Sequence, residues 1–591
     1  MSTEANDAVV ARAQAWLRED PDEQTRAELQ AILERNDLQA LEDRFLAKLE
    51  FGTAGLRGVL GAGPNRMNRA VVLRTTAGLC KYLLAHSADA QTRGIVVGYD
   101  GRKMSREFAE DVASVCAGLG VRAHLFVGVA PTPLVAFAVT ALGASAGVMV
   151  TASHNPPEYN GYKVYWENGA QIIPPHDIGI AAEIDAIGPL TTVARPILKE
   201  ARAKGLVVDV APEIEARYLD AVAALQRNPG VGRDLVIAYT PLHGVGYDRA
   251  KAALARFGFE SVHVVEAQRE PDGAFPTVNF PNPEEKGALD LVYALADRVS
   301  ADLVLANDPD ADRLAAAEKH NGAWRQLTGN EVGALFAHYL LVDASDTEPS
   351  KRSTLTAITT IVSSPLLGEL CRSLGVRYDE VLTGFKWIAN RALDLAASTG
   401  ERFVFGYEEA LGYTVGEVVR DKDGVGSAAV FAELTAFYRS KHKRSLFAQL
   451  DEVYRRTGVF VSGQHNVTIK GLEGASKIRA IMDGFRKEHP KVIGPLEVES
   501  VTDIQMGHKT LRDGTTVKLA LPPSNVIAYA LQGGSRVTLR PSGTEPKIKY
   551  YFDVREPVRD NEPVSAARER ASAQLEALKA AFVALADAVA P

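Results

Sequence analysis

The sequence predicts an α/β protein, with three similar α/β domains that contain mixed sheets, followed by a C-terminal α+β domain. A chain of 591 residues is too long for one hydrophobic core and indicates several domains. A strand–helix–strand pattern occurs three times, and each time a glycine follows the helix, as is common at helix ends. The three units are residues 94–127 with Gly120, 234–265 with Gly258, and 354–382 with Gly375.

The segments around these units divide the chain into four predicted domains. An N-terminal helical region, residues 5–50, and a helix near 68–85 precede the first unit. After residue 453 the pattern changes to a helix near 472–488, several strands and a long alanine-rich helix over 564–588, which indicates a different kind of domain. The predicted domains are residues 1–205, 206–326, 327–453 and 454–591.

The charge and cysteine content restrict the partners and the location. The chain has 66 lysines and arginines against 74 acidic residues, a net charge of −8. We therefore expect no nucleic-acid partner and no membrane-surface partner. The cysteines, Cys80, Cys116 and Cys371, form no CxxC pair, and the first 36 residues contain no signal-peptide core, so the expected location is the cytoplasm.

One uncharged segment, residues 123–153, has to be considered as a membrane span. Glycines and prolines interrupt it, including Pro131, Pro133 and Gly143. A spanning helix needs about 20 predominantly apolar residues with its backbone satisfied internally. The segment is therefore interpreted as a loop, a short helix and a strand.

Ser153 lies at the end of a predicted buried strand, residues 146–150. The TASHNP sequence that follows cannot continue the strand, because proline lacks the N–H that a ladder requires. Ser153 is thereby held on a rigid corner, where a nucleophile could act. Lys163 could accept a proton, and His154 could assist its transfer. An ordinary Ser/Asn/Pro turn is the alternative.

Three aspartates, Asp308, Asp310 and Asp312, recur at every second residue after a predicted strand. In an extended loop this spacing points the carboxylates the same way, as a Mg²⁺ site requires. An EF-hand does not fit, because the sixth position of the loop is Arg313 where glycine is needed. A solvated acidic turn is the other alternative, although α/β proteins place ligand sites at the carboxyl ends of strands.

Four further loops contain groups that could bind an anion, sugar hydroxyls or a phosphate, and a plain turn is the alternative for each. Glycines around Arg57 allow backbone N–H groups to approach an anion. Two loops after predicted strands could contact sugar hydroxyls, and one C-terminal loop combines arginine, hydroxyls and glycine, as a phosphate cradle does. The loops are residues 51–58 (FGTAGLRG), 383–386 (TGFK), 406–412 (GYEEALG) and 540–547 (RPSGTEPK).

Two GxG fragments mimic dinucleotide-binding motifs. In the first, Gly244-Val-Gly246, the third glycine position is Arg249 and the connecting loop is too long. In the second, residues 424–429 (GVGSAA), no strand precedes the glycines. We interpret the second fragment as the start of a helix.

Together these motifs resemble those of the α-D-phosphohexomutases, the phosphoglucomutase and phosphomannomutase superfamily, over nearly the whole chain after residue 45. The segments FGTAGLRG and GYKVYWENGAQI look most like the phosphopentomutase-like branch that includes bacterial phosphoglucomutases. The resemblance implies a four-domain, heart-shaped arrangement. One departure is Ala410, which stands where many relatives have a serine that would donate a hydrogen bond to the sugar.

The resemblance also implies residue roles. The TASHNP serine would carry the phosphoryl group, the aspartate loop would hold Mg²⁺, and the remaining loops would bind sugar and phosphate. The implied catalytic residues are Ser153, His154, Lys163 and Arg57; the metal ligands are Ser153, Asp308, Asp310 and Asp312; the substrate-binding residues are Thr53, Arg313, Thr383, Gly384, Lys386, Glu408, Ala410, Arg540, Ser542, Gly543, Thr544 and Lys549.

The activity implied is that of a phosphosugar mutase, which interconverts sugar 1-phosphate and 6-phosphate through a phosphoserine and a bisphosphate intermediate. Glucose phosphates are the first expectation, with ribose or mannose phosphates as alternatives. The expected cofactors are Mg²⁺ and a sugar bisphosphate such as glucose 1,6-bisphosphate, and the expected state is a monomer or a weak homodimer. A non-catalytic sugar-phosphate binding protein is the alternative from a different class.

Overall fold

The computed structural model describes residues 3–50, 55–468, 472–542 and 547–589, and within these ranges the strands form four sheets. The predicted N-terminal helical region consists of three helices, because Asp22 and Asp37 each begin a new helix by accepting a backbone N–H. Apolar residues such as Leu29, Ile32 and Leu41 pack these helices together. The helices are α1 (Thr3–Glu19), α2 (Glu23–Glu34) and α3 (Leu38–Phe45).

The first sheet is mixed. Its elements are β1 (Leu56–Val59), α4 (Arg69–His86), α5 (Ala90–Arg93), β2 (Ile95–Tyr99), α6 (Ser105–Gly118), β3 (Ala123–Leu125), α7 (Thr132–Ala141), β4 (Ala146–Val150), β5 (Tyr159–Trp166), α8 (His176–Asp185), α9 (Leu198–Ala203) and β6 (Val207–Asp209). The strand order is β1-β5-β4-β2-β3-β6. β2 and β4 are buried along their whole length, as strands covered on both faces are. The sheet includes β6, which lies beyond residue 205.

The second sheet repeats the pattern on a smaller scale. Its elements are α10 (Pro212–Ala223), β7 (Ile237–Thr240), α11 (Tyr247–Arg256), β8 (Val262–Val264), α12 (Glu266–Arg269), α13 (Asp290–Arg298), β9 (Leu303–Ala306), β10 (Ala315–His320) and β11 (Ala323–Gln326). The strand order is β11-β10-β9-β7-β8. An antiparallel strand pair, β10 and β11, follows the aspartates.

The third sheet has the order β13-β12-β14-β15. The elements of this part of the chain are α14 (Gly329–His338), β12 (Leu355–Thr360), α15 (Leu366–Leu374), β13 (Arg377–Val381), α16 (Phe385–Thr399), β14 (Arg402–Glu408), β15 (Gly412–Val415), α17 (Gly424–Phe437) and α18 (Leu446–Thr457). The GVGSAA sequence begins helix α17, as predicted, and the Asp423 side chain accepts the N–H of Gly426 at its start.

The fourth sheet is antiparallel, which confirms that the C-terminal part differs from the rest. Its elements are β16 (Val459–Thr468), α19 (Leu472–Lys487), β17 (Val492–Ile493), β18 (Leu496–Asp503), β19 (His508–Leu511), β20 (Thr516–Lys518), β21 (Ile527–Leu531), β22 (Ser535–Pro541), β23 (Lys547–Glu556) and α20 (Val564–Val589). Helix α20 buries residues at helical spacing, such as Ala571, Leu575, Leu578 and Phe582. The predicted fold class is thus confirmed.

The three α/β sheets share one strand order, although their sequences differ. In each, the first strand of the unit lies between the second and the third, and the third pairs with an antiparallel fourth: β3-β2-β4-β5, β8-β7-β9-β10 and β13-β12-β14-β15. The glycines after the helices, Gly120, Gly258 and Gly375, have φ of 75°, 86° and 70°, which explains their residue type. The connection between third and fourth strand therefore lies at the same place in every unit.

Among the helices that the structure describes, none is both long enough and apolar enough to cross a bilayer. The segment 123–153 folds as β3, a loop, α7 and β4. This agrees with the interpretation of its glycines and prolines as interruptions.

Candidate active site

The connection between β4 and β5 presents Ser153. This residue has a φ of 53°, an unusual conformation for a residue other than glycine, and its N–H donates to Thr151 Oγ1 at 2.8 Å. The Ser153 hydroxyl donates to Asp308 Oδ2 at 2.7 Å, across 155 residues of chain. The first and second α/β units therefore bring together the predicted nucleophile and the predicted metal loop.

The connection between β9 and β10 presents the three aspartates. One oxygen from each of Asp308, Asp310 and Asp312 lies within 4.8 Å of the others, and all three residues are buried. Lys163 Nζ, on β5, donates to Asp310 Oδ2 and Asp312 Oδ2 at 2.8 Å each. Thr132 Oγ1 donates to Asp310 Oδ2 at 2.7 Å. The loop is therefore held by domain I as well as by its own strands.

The charges in this cluster depend on one another. Burial by itself disfavours a charged Asp312, but Lys163, Lys422 and Arg313 outweigh it and hold the pKa of Asp312 well below its usual range. Burial and the neighbouring carboxylates of Asp310 and Asp312 raise the pKa of Asp308. Burial opposes the charge of Lys163 too, yet the two aspartates raise the pKa of its amine.

The aspartate loop also fits a divalent cation. Asp310 Oδ1 and Asp312 Oδ1 are buried and have no hydrogen-bond partner among the described residues. An unpaired buried carboxylate oxygen is costly, and converging oxygen ligands are what Mg²⁺ requires. The orphaned oxygens, with Asp308 beside Ser153, form a set of donors suited to that ion.

Arg57 and Arg313 place two guanidinium groups beside the aspartate loop. Arg57 Nη1 donates to Asn155 Oδ1 at 2.8 Å, and burial lowers the pKa of Arg57 to about 10. Arg313 Nε lies 3.9 Å from Asp308 Oδ2 and from Asp312 Oδ1. Both predicted residues are therefore part of the cluster.

His154 also belongs to the cluster around Ser153 and the aspartates. The His154 Nδ1 atom lies 3.2 Å from the Ser153 Oγ, and its ring lies against Phe280 of the second α/β unit. Burial, followed by the charges of Arg313 and Arg57, lowers the pKa of His154 well below its usual value. The imidazole is therefore neutral at pH 7.

The third α/β unit contributes the predicted sugar-binding residues. The Gly384 N–H donates to Glu408 Oε1 at 2.8 Å, so two of the predicted loops touch. The Thr383 hydroxyl is buried without a hydrogen-bond partner among the described residues. Lys386 Nζ lies 3.9 Å from Asp177 Oδ2 of the first unit, and Ala410 is half-buried in the turn after Glu408.

The fourth domain contributes Arg540, near the end of β22. It pairs in register with Lys549 on β23, and its side chain hydrogen-bonds to Tyr551. The Ser542 N–H donates to the carbonyl of Lys547 at 2.7 Å. Thr53, Gly543 and Thr544 lie outside the residues that the structure describes.

Three sequence models of the phosphoglucomutase/phosphomannomutase α/β/α domains I, II and III match residues 48–190, 216–322 and 328–457. Human phosphopentomutase is 37% identical over 574 residues, covering 94% of this chain and 92% of that relative. The chain belongs to the phosphoglucomutase/phosphomannomutase family. It is accordingly an enzyme, a phosphosugar mutase that acts as an intramolecular phosphotransferase.

Other members of the family are similarly close to this chain. "Probable phosphomannomutase" of Haemophilus influenzae is 41% identical over 495 residues, covering 83% of this chain and 93% of the relative. Human glucose 1,6-bisphosphate synthase is 37% identical over 561 residues, covering 91% of this chain and 89% of that relative. A crystal structure of a phosphoglucomutase/phosphomannomutase family protein from Burkholderia thailandensis superposes with a TM-score of 0.62 at 19% sequence identity. The superposition covers 91% of this chain and 97% of that protein, so the two share the same fold.

Three residues at the cluster of this mutase were not predicted from the sequence. Lys422 Nζ lies 3.2 Å from Asp312 Oδ2, Thr132 holds Asp310, and Arg102 donates to backbone carbonyls around Ser153. Lys422 lies in the RDKD sequence before α17. Its four consecutive charges of alternating sign could have indicated a site residue. Thr132 and Arg102 carried no such signal, because their partners lie far away in the chain.

Proposed function

We propose that this protein interconverts sugar 1-phosphate and sugar 6-phosphate, with glucose phosphates as its preferred substrates, through a phosphorylated Ser153. The observation that carries this proposal is the 2.7 Å hydrogen bond between the Ser153 hydroxyl and Asp308, inside a buried cluster of carboxylates and cations. A hydroxyl in that position can receive and donate a phosphoryl group, since the surrounding cations compensate the charge of a phosphate.

The proposed cofactor is Mg²⁺, held by Asp308, Asp310, Asp312 and an oxygen of the phosphorylated Ser153. When bound, the ion would supply positive charge to the transferring phosphoryl group. The orphaned oxygens of Asp310 and Asp312 support this assignment.

The residues around Ser153 would compensate the charge of the phosphoryl group and transfer the proton. Arg57 and Arg313 would offset the negative charge of the phosphoryl group as it moves to the free hydroxyl of the substrate. Lys163 is proposed to accept the hydroxyl proton. Because Asp310 and Asp312 raise the pKa of its amine, this role requires Lys163 first to give its own proton to solvent. The Ser153 hydroxyl donates its proton to Asp308, so the neutral His154 ring would donate an Nδ1–H hydrogen bond to the Ser153 oxygen.

Substrate binding would fall to the third and fourth domains. Glu408, which accepts the Gly384 N–H from the neighbouring loop, would accept hydrogen bonds from sugar hydroxyls, and Arg540 would bind the phosphate that is not reacting. The bisphosphate intermediate would then reorient, so that its two phosphates exchange places between the two phosphate sites. Its other phosphate would then return to Ser153, which explains the proposed use of a sugar bisphosphate as activator.

A phosphopentomutase is the second candidate, because relatives with that name are 37% identical over 94% of the chain. Ala410 also removes a side-chain hydrogen-bond donor from the sugar loop, which weakens the argument for a hexose. Turnover of glucose 1-phosphate, mannose 1-phosphate and ribose 1-phosphate should be compared, each with Mg²⁺ and its own bisphosphate. The proposal expects the highest kcat/KM for glucose 1-phosphate; a higher value for ribose 1-phosphate would favour the second candidate, and no turnover would favour a binding protein.

A further inference from the structure

Arg102 lies directly behind the Ser153 loop, in the turn between β2 and α6. We infer that Arg102 is a positioning residue for phosphoryl transfer: its guanidinium fixes the backbone that carries Ser153 against the metal loop of the second domain. The inference rests on the proposed role of Ser153 as phosphoryl carrier, and it adds a residue that acts through the backbone of the Ser153 loop.

The contacts of Arg102 go to the backbone of the loop. Its Nη2 donates to the carbonyls of Ser153, at 2.5 Å, and Asn155, and its Nη1 donates to those of Pro156 and Tyr159 at 2.8 and 3.1 Å. Asp100 Oδ2 lies 3.5 Å from Arg102 Nε, and the side chains of this pair are 0–1% exposed. One rigid cation therefore holds both ends of the turn that presents the hydroxyl.

The Ser153 backbone needs such support. Its φ of 53° is unfavourable for a residue with a side chain, and such conformations persist only where the surroundings fix them. Ser153 and Asn155 also lie between β4 and β5, so their carbonyls are outside the hydrogen-bond ladder of the sheet and need other donors. A charged donor satisfies them more strongly than a neutral one would.

A second set of contacts ties Arg102 to the second α/β domain. Its guanidinium lies 4.8 Å from the ring centroid of Phe275. A Cβ atom at Gly273 would come within 2.8 Å of Arg102 Cα, and one at Gly101 would come within 2.7 Å of Pro271 Cβ. The turn is therefore pressed against the domain that carries Asp308, and Arg102 joins the Ser153 loop to it.

Lysine cannot reproduce this arrangement. Its single ammonium group keeps the positive charge, but it lacks the planar fork that reaches carbonyls on two sides. Arg102→Lys therefore separates the geometry of the residue from its charge. Arg106→Lys, on the exposed face of α6, is the matched control, since the Arg106 side chain is 70% exposed and pairs with Glu110.

The test measures kcat, KM, melting temperature and the rate of phosphoryl transfer from phosphorylated enzyme in a single turnover. For Arg102→Lys we expect kcat and the single-turnover rate to fall about 100-fold, the loss associated with a displacement of about 1 Å. KM should stay within about threefold of wild type, because Glu408 and Arg540, the residues proposed to bind the sugar and its distal phosphate, belong to the third and fourth domains. Arg106→Lys should leave all four quantities unchanged.

Two further measurements distinguish a positioning role of Arg102 from a general loss of folded structure. Phe275→Leu leaves Arg102 intact but removes the ring against it, and should lower kcat about tenfold at unchanged KM. Arg102→Gly should recover part of its single-turnover rate when guanidinium is added at millimolar concentration, whereas a globally damaged fold would not respond.

The outcomes separate this inference from the proposed function. If wild-type enzyme never acquires a phosphate from the bisphosphate, the proposed function fails, and the inference fails with it. If wild type is phosphorylated and active, the inference alone is overturned by either of two results. One is a folded Arg102→Lys variant with wild-type kcat; the other is a loss fully explained by unfolded protein, without rescue by guanidinium.

Discussion

Buried charge is the feature that governs the site at the scale of single residues. Asp308, Asp310, Asp312 and Lys163 are each at most 2% exposed, and their ion pairs and hydrogen bonds replace the water that they lose. Removal of one partner leaves the others charged and unpaired, which is more costly than the pair itself is favourable. Substitutions in this cluster therefore have to preserve shape where possible.

Ser153→Ala should abolish phosphoryl transfer, by about 10⁴-fold or more, because the variant has no oxygen to carry the phosphoryl group. The fold should survive, since the change removes one hydrogen bond to Asp308, a loss of about 1–2 kcal/mol. Intact-mass analysis after incubation with glucose 1,6-bisphosphate should show one added phosphate on wild type and on the control Ser114→Ala, and none on Ser153→Ala. A wild-type protein that is never phosphorylated would contradict the covalent mechanism.

Asp310→Asn should weaken Mg²⁺ binding and turnover together, because it removes one negative ligand while keeping the side-chain shape. The apparent affinity for Mg²⁺, measured by titration after treatment with EDTA, should fall about tenfold or more. Asp394→Asn, on the exposed part of α16, is the control and should match wild type. Full activity of wild type in excess EDTA would show that the loop holds no essential metal.

The sequence predicted the residues whose chemistry is visible in a short motif. Ser153 and the aspartates were found because a hydroxyl or repeated carboxylates follow a strand, and the structure brings them together. Arg102 and Thr132 could not be found in that way, because their partners lie 51 and 178 residues away. Only the folded arrangement of the α/β units creates those contacts.

At the scale of elements, three of the four regions of the site occupy the same position in a repeated unit. The Ser153 loop, the aspartate loop and the Glu408 turn each connect the third strand of a unit to its antiparallel fourth strand. Hydrophobic patterning and glycine positions predicted the strand–helix–strand part of each unit. They did not predict that the shared strand order would place the three connections equivalently, because strand order depends on long-range pairing.

Glu318 gives a prediction for one such element. This β10 residue is 7% exposed, accepts the Leu446 N–H at the start of α18 at 2.8 Å, and lies near Arg439 and Asp302. Burial raises the pKa of Glu318 to about 7. Between about pH 4.5 and 7 the folded state thus keeps a proton that the unfolded state releases, so this carboxyl lowers stability as pH rises, by up to about 3 kcal/mol.

Glu318→Gln should remove that dependence while keeping an acceptor for the Leu446 N–H. The variant should melt at a higher temperature than wild type at about pH 8, and the difference should shrink toward about pH 5. Calorimetric scans at both values provide the measurement, with Glu452→Gln as control, because the α18 residue Glu452 has a side chain that is 41% exposed. A constant difference between variant and wild type across this range would show that Glu318 is not protonated in the folded protein.

At the scale of the whole molecule, contacts between domains connect the site. Tyr165 and Gln171 of the first domain donate to Asp421 of the third at 2.8 and 2.6 Å. The fourth domain attaches to the third through Arg536, which contacts Glu380 at 3.1 Å and donates to the Ser363 carbonyl. The fourth-domain residues that are proposed to bind phosphate are therefore positioned through the third domain.

Arg540 is the residue through which the fourth domain would act on substrate. Arg540→Ala should raise KM for sugar 1-phosphate and 6-phosphate alike, about tenfold or more, since a charged hydrogen bond contributes about 1.5–3 kcal/mol. Both directions should be affected, because this group would bind whichever phosphate is not reacting. Arg540→Lys should recover only part of the loss, since lysine cannot form paired hydrogen bonds to phosphate.

The measurement is KM in both directions of the glucose phosphate interconversion, for both variants and for Arg512→Ala. Arg512 lies in the same domain, and its side chain is 66% exposed, so its removal should leave KM unchanged. A change in only one direction would mean that Arg540 binds one of the two phosphates and a different group binds the other. Unchanged KM in both directions would place the distal phosphate elsewhere, because a guanidinium that pairs with phosphate cannot be removed without loss of affinity.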